Sequence, residues 1–324
     1  MTAEPFSYIN NNTMATTIKW YLAHQPIHLV RRTAEAFRKL LVMETDGAYD
    51  VEILSPADYK NKYDATWDWS AQGFDVSPLL SSNAVQMSQT DLYELANPGD
   101  ANFYLFDMPF LFDDHDHARR VIDGPIGESL NRRLNNLDVG YQGLAYTYSG
   151  GYRALGSTKS ITALSDVKDS NMRVNGNPVT RDFWQELGVK GNYAPQKDVW
   201  TADHCESIGV SSVDTTYIRF EQAPHWFKTD HSLYLTDILI STEFWNTLDQ
   251  GTQNIWRDCA KRAAEQERAW AMQDAEQYEA NNPDKIVTAT AEELAEMREK
   301  SRAVYDKWES SFSPGLIKAI RDLA

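Results

Sequence analysis

Early in the chain the hydrophobic period changes twice, and that change constrains the fold more than any other feature. Residues 17–23 alternate, with Ile18, Trp20 and Leu22 on one side, as a strand does. From residue 28 to 44 the period is helical: Val30, Ala34, Phe37, Leu40 and Leu41 recur on one face, and Gly47 follows as a stop. Residues 49–54 read as a strand again. A strand, a helix-length crossover and a second strand require a parallel sheet, which makes the chain α/β and excludes a β-sandwich.

The same alternation returns further on. Residues 64–82 are rich in Trp, Asp and Ser without a clean period and read as a loop with a short helix, followed by a strand at 84–88. Residues 113–136 are largely helical with an interruption at Gly124-Pro125, and 139–146 return to strand. A short strand at 172–174 and a helix at 179–187, stopped by Gly188, repeat the β/α logic. A buried strand is predicted at 232–240, then a long helical tract from 242 to about 280 that includes Phe244, Leu248, Ile255 and Cys259. Thr290 and Glu293 have capping-box spacing and open another helix. With 324 residues the chain is long for one core. The expected division is a first lobe over 17–150, a second over 151–240 and a helical segment over 241–324 that spans both and packs back on the first.

A formal net charge of −16 argues against a nucleic-acid partner, because counterion release needs clustered Lys and Arg. It also sets a condition on any anionic guest: local cations must overcome a repulsive field, so a buried Arg is expected at the site. Cys205 and Cys259 are too few for a disulfide scaffold or a cysteine zinc site, though one bridge stays open. No apolar run approaches the roughly 20 residues that cross a bilayer. Residues 1–20 lack a positive segment followed by an apolar core, so an exported protein is expected to have had its leader removed or replaced. The chain has no G-x-S-x-G elbow, Walker A loop, G-x-G-x-x-G turn or H-E-x-x-H pair; no catalysis and no cofactor are expected. Residues 113–117, Asp-Asp-His-Asp-His, carry metal-ligand side chains, but neighbours on a helix diverge, so they are read as a solvated helix start.

The segment MPFLFDDHDHARRVIDGPIGESL (residues 108–130) resembles the DctP-like family of TRAP transporter solute-binding proteins, with its Pro-Phe-Leu-Phe and Gly-Pro-x-Gly signature. LAHQPIH (22–28), GYRALGSTKSI (151–161), MRVNGNP (172–178) and DVWTA (198–202) extend the similarity over nearly the whole chain from residue 17. The resemblance implies a two-lobed periplasmic-binding-protein-like α/β fold with hinge strands and a long bracing helix, which the 242–280 tract would supply. It implies further that a small organic acid is bound between the lobes by hinge closure and delivered to the membrane subunits of a TRAP transporter from the periplasm. A monomer is expected.

Arg173 stands in MRVNG, the segment that matches the family's ligand-carboxylate arginine. A guanidinium can grip a carboxylate with two parallel hydrogen bonds. Arg153 follows the expected lobe crossing and has two readings: a second cleft cation, or the partner of an acidic neighbour across the lobes. Asn175, two residues after Arg173, faces the same side if the strand continues. His24 follows the first strand and Gln89 the strand at 84–88, where α/β sheets place ligand contacts. Trp200 matches a family position that walls the ligand, and Thr215, Thr216 and Tyr217 fall in VDTTYIRF, which resembles a strand facing the cleft. Many relatives carry a Gln-Glu-Asn-Pro-like run there; its absence leaves the identity of the acid open. Two other classes remain: a ligand-sensing subunit for a signalling partner, and an α/β enzyme acting on a carboxylate.

Overall fold

The computed structural model describes residues 15–23, 28–68, 75–97, 99–193, 202–207 and 223–324. Strand β1 (Thr16–Tyr21), helix α1 (His28–Glu44) and strand β2 (Tyr49–Leu54) form the expected unit, with β1 and β2 parallel from Thr16↔Tyr49 to Tyr21↔Leu54. The apolar stripe of α1 is buried at Leu29, Val30, Ala34, Phe37 and Leu41. Helix α2 (Pro56–Lys62) starts on a capping box between Ser55 and Asp58, and α3 (Ser77–Ser81) leads to β3 (Met87–Asp91), parallel to β1. This strand begins later than its sequence suggests, because Asn83 turns left-handed (φ 54°) and the Gln86 side chain accepts from Lys19 N at 2.9 Å. Gln89 therefore lies inside β3, not after it.

Two 3-10 segments, Leu92–Ala96 and Ala101–Asp107, precede α4 (His115–Ile122) and α5 (Pro125–Asn135). The break between these helices falls at Gly124-Pro125, as the sequence indicates. Its Gly-Pro-x-Gly pattern has a steric cause. A Cβ on Gly124 would run into the carbonyl of Arg120, and one on Gly127 into that of Ile122. The Asp-Asp-His-Asp-His segment is not wholly solvated. Asp114 caps α4 by accepting from His117 N at 2.7 Å, while His117 is buried and its Nε2 bonds to the Ile320 carbonyl at 2.8 Å.

Two 17-residue strands, β4 (Tyr141–Ser157) and β8 (His225–Ser241), run antiparallel through the molecule. One half of β4 pairs with the end of β8 that adjoins β3; the other half pairs with β7 (His204–Ser207), which leads to β5 (Asn171–Val174) and β6 (Lys190–Tyr193). The sheet order is β2-β1-β3-β8-β4-β7-β5-β6, with β9 (Ile286–Thr288) beside β8. A parallel group thus sits at each end of two shared crossing strands, the plan of a two-lobed α/β protein. Both crossing strands are longer than their patterns suggest. The strand expected at 139–146 instead continues through Ser149-Gly150-Gly151, with a register shift between Thr147 and Gly151.

Helix α6 (Pro178–Glu186) follows β5. The long helical tract resolves into a one-turn helix, Thr242–Trp245, and α7 (Gln250–Asn281), separated because Asp249 caps α7 from outside by accepting from Thr252 N at 2.8 Å. At 1.5 Å per residue α7 extends about 48 Å, enough to brace both parallel groups. Its buried seam is mostly small, Cys259, Ala260, Ala263, Ala264 and Ala271, which lets α1 and β4 approach closely. At one end Trp256 anchors it against Phe37, Tyr49 and Phe244 with ring centroids 5.3–5.6 Å apart. Helices α8 (Ala291–Trp308) and α9 (Leu316–Arg321) close the described chain; α8 opens on the Thr290–Glu293 capping box. Both cysteines are buried and free. No described helix is long and apolar enough to cross a membrane.

Candidate functional site

Strand β5 brings Arg173 to its C-terminal part, opposite Cys205 in the β5–β7 ladder, with 7% of its surface exposed. Parallel sheets gather ligand contacts at such strand ends. The next residues form a tight turn: Asn175 Oδ1 accepts from Asn177 N at 3.0 Å, and Asn177 Oδ1 accepts from Val179 N at 2.9 Å, capping α6. Asn175 is therefore oriented with its Nδ2, a donor, lacking a partner among the described residues. Burial pushes the Cys205 thiol up to about 11 against the pull of Arg173, so it is neutral and inert.

Arg153 lies in a buried ionic network. Its Nη2 donates to Asp107 Oδ1 at 3.0 Å, its Nη1 is 3.8 Å from Glu206 Oε2, and its guanidinium stands 4.7 Å from the centre of the Tyr234 ring. Asp107 also accepts from Asn177 Nδ2 at 2.8 Å, so one carboxylate after the first parallel group ties down both Arg153 and the turn carrying Asn175. Glu206 Oε1 accepts from Trp184 Nε1 at 2.8 Å and His231 Nε2 at 2.9 Å; His231 Nδ1 in turn meets Thr229 Oγ1 at 2.8 Å. Burial pushes Glu206 up, but Arg153, His231 and Trp184 outweigh it and hold the carboxyl below its ordinary value. Asp91, at the end of β3, is driven well above the usual carboxylate range by burial, against the pull of Arg153 and Arg173.

Gln89 is fully buried where β3 meets the crossing strands. Its Nε2 lies 2.7 Å from Thr147 Oγ1, 2.7 Å from Ser149 Oγ and 2.9 Å from Thr236 Oγ1. Its Oε1 has no partner among the described residues. His24, Trp200, Thr215, Thr216 and Tyr217 lie outside the described residues. Among the described residues no group of three or more His, Cys, Asp or Glu is arranged to hold a metal.

Sequence reasoning missed Asp107, Asn177, Glu206 and His231. A signal existed for the first: Asp107 is the one charged residue in the run Phe103–Phe112. Glu206 and His231 offered none, since only the tertiary fold buries them together.

Two crossing strands, a parallel group at each end and buried arginines at the junction define a two-lobed solute-binding fold. The chain belongs to the bacterial extracellular solute-binding proteins of family 7, DctP, whose model matches residues 23–311. It is 23% identical over 298 residues to the C4-dicarboxylate-binding periplasmic protein DctP of Rhodobacter capsulatus, covering 89% of this chain and 85% of the relative. Among solved structures it is similar to a TRAP periplasmic solute-binding protein of Pseudomonas putida F1 with bound D-glucuronate (TM-score 0.80, 22% identity, covering 94% and 96% of the two chains). It is likewise similar to one of Sulfurospirillum deleyianum with bound succinate (TM-score 0.81, 21% identity, 96% and 100%).

Proposed function

We infer that this chain is the periplasmic binding subunit of a TRAP-type transporter, that it captures a small organic acid between lobes spanning 17–150 and 151–240, and that it passes the acid unchanged to the membrane subunits. The observation that carries this reading is Arg173, a guanidinium buried near the end of a parallel strand, with the Asn175 amide donor two residues on. Held this way, a guanidinium binds a carboxylate with both charge and direction. Gln89 supplies a neutral acceptor from the first lobe, while His24, Trp200, Thr215, Thr216 and Tyr217 complete the proposed pocket. Arg153 contributes positive potential, but its hydrogen bond to Asp107 gives it a second task of joining the lobes. The 241–324 segment braces both lobes, and the protein acts as a monomer. The bound glucuronate and succinate of structural neighbours support a carboxylate as the shared feature of the guest.

The test is a thermal-shift screen of dicarboxylates, sugar acids, and hydroxy and keto acids on the wild type and Arg173→Ala. A guest at a hundredfold excess over its Kd stabilises by about 2.7 kcal/mol. At least one acid should raise the wild-type melting temperature and leave Arg173→Ala unmoved. If no carboxylate moves the wild type, or the variant responds equally, the reading fails.

A further inference from the structure

The register shift in β4 leaves Tyr148, Ser149 and Gly150 opposite a single residue of β8, since Thr147 pairs with Thr236 and Gly151 with Tyr234. Ser149 is left-handed there (φ 47°), and so is Gly151 (φ 76°). A non-glycine residue in that conformation costs free energy and persists only where its surroundings hold it. The bulge also takes the N–H groups of Tyr148 and Ser149 out of the ladder, deep inside the protein. Both are accepted by one side chain on the long helix. Glu267 Oε2 receives Tyr148 N at 2.8 Å and Glu267 Oε1 receives Ser149 N at 2.6 Å.

Glu267 is fully buried, with Arg268 on its own helix, Arg32 on α1 and the Tyr148 backbone as its polar surroundings. Above pH 7, where burial no longer keeps it protonated, the Glu267 carboxylate offers one acceptor oxygen per N–H, which a carboxamide does not. On the other side of the same residue, Ser149 Oγ lies 2.7 Å from Gln89 Nε2 and 2.8 Å from Thr236 Oγ1. A continuous set of short contacts therefore leads from the bracing helix, through Ser149, to the Gln89 carboxamide.

We propose that Glu267 is a positioning residue of the ligand cleft: by clamping the β4 bulge from α7 it holds Ser149 left-handed and so aims the carboxamide of Gln89. This rests on the binding-protein reading for its consequence, ligand affinity, but not for the clamp itself. Replacing Glu267 by Gln keeps size and removes one acceptor, leaving an amide NH₂ facing a backbone N–H. Ser149 should relax, and Gln89 should lose its orientation without being touched.

The experiment uses the full chain, uniformly ¹⁵N-labelled, as wild type, Glu267→Gln, Ser149→Ala and the double variant. The Gln89 side-chain amide signals are assigned by their loss in Gln89→Ala. Glu267→Gln should shift those signals and speed hydrogen exchange at Ser149; Gln89 signals that stay put in a folded Glu267→Gln overturn the proposal. For the acid found by the screen, each single variant should weaken binding about tenfold, the value of one hydrogen bond, and the double variant should weaken it little further. Losses that multiply overturn the coupling. Should Glu267→Gln fail to fold, Ser149→Ala decides alone, since it keeps both clamped N–H groups: unchanged affinity and unmoved Gln89 signals refute the proposal. If Arg173→Ala abolishes binding while Glu267→Gln and Ser149→Ala bind as wild type, the clamp fails and the binding reading stands. If no acid binds the wild type, the binding reading fails and the Gln89 signals still decide the clamp.

Discussion

Arg153 and Asp107 meet at 3.0 Å, although 46 residues separate them, and both side chains are nearly inaccessible to water. One comes from a crossing strand and the other from the 3-10 segment that ends the first parallel group, so the pair fastens the junction of the lobes. Removing one member leaves the other charge buried, and breaking such a pair typically costs about 3–5 kcal/mol. Asp107→Ala should therefore lower unfolding free energy in urea by about 3 kcal/mol, softened by the remaining partner Glu206. It should also free the Asn177 carboxamide. A loss under about 1 kcal/mol, the worth of a surface pair, would show that the network is not buried in solution.

The second glycine of the Gly-Pro-x-Gly stretch is a packing requirement. Gly127 lies in α5, and a methyl group there would overlap the Ile122 carbonyl, a backbone atom that cannot swing aside. Gly127→Ala should destabilise by about 1–3 kcal/mol despite the better helix propensity of Ala, because overpacking outweighs the roughly 1 kcal/mol of propensity gained. A melting temperature at or above wild type would contradict this.

His117 shows how far such patterns can be read. Its neighbours Asp113, Asp114 and Asp116 are polar and exposed, and nothing local distinguishes it from them. Its burial depends on α9, some 200 positions later, whose Ile320 carbonyl it meets. The same holds for Glu267, one acid among many charged residues of a helix whose face is decided by what packs against it. Periodic features were readable because they are local: the β-α-β start, the helix break at Gly124-Pro125 and the Thr290–Glu293 cap all fall where the sequence places them. The strand expected at 139–146 stops short of the end of β4 because Ser149-Gly150-Gly151 has the composition of a loop, and only Glu267 reveals why it is a bulge in a continuing strand. Arg173 follows from a family motif and Asn175 from its two-residue spacing to Arg173 on a strand, whereas Asp107 and Glu206 are brought to the site by the tertiary fold alone.

Unseating that histidine should loosen the end of the chain selectively. His117→Ala removes the bond to Ile320 and a 5.6 Å ring contact with Phe112. The Ile320 carbonyl keeps Leu323 N at 3.0 Å, so the loss is that of one buried hydrogen bond, about 1 kcal/mol. Limited proteolysis should cut near α9 faster in the variant, while the lobes stay resistant. Uniform sensitivity along the chain would mean that His117 supports the whole first lobe instead.

Asp237, fully buried in β8, offers a test of electrostatics through pH. Burial pushes its carboxyl from 3.8 up to about 8, even though Ala145 N donates to it at 3.1 Å. Its Oδ2 and the Oδ1 of Asn131 both crowd the space above Gly143, and neither has a hydrogen-bond partner among the described residues. The folded protein thus holds a proton that the unfolded chain releases, so this group's contribution is fully present below pH 3.8 and is lost as pH rises through about 8. Between those limits each pH unit removes about 1.4 kcal/mol. Glu267, pushed up to about 7 by burial, acts in the same direction from 4.5 upward. Asp237→Asn mimics the protonated form and cannot ionise. Urea titrations from pH 5 to 7.5 should show wild-type stability falling more steeply than that of Asp237→Asn, by about 1.4 kcal/mol per unit, with the Glu267 share left in the variant. Parallel profiles would mean that Asp237 is ionised in the folded protein, held by the backbone donors around it.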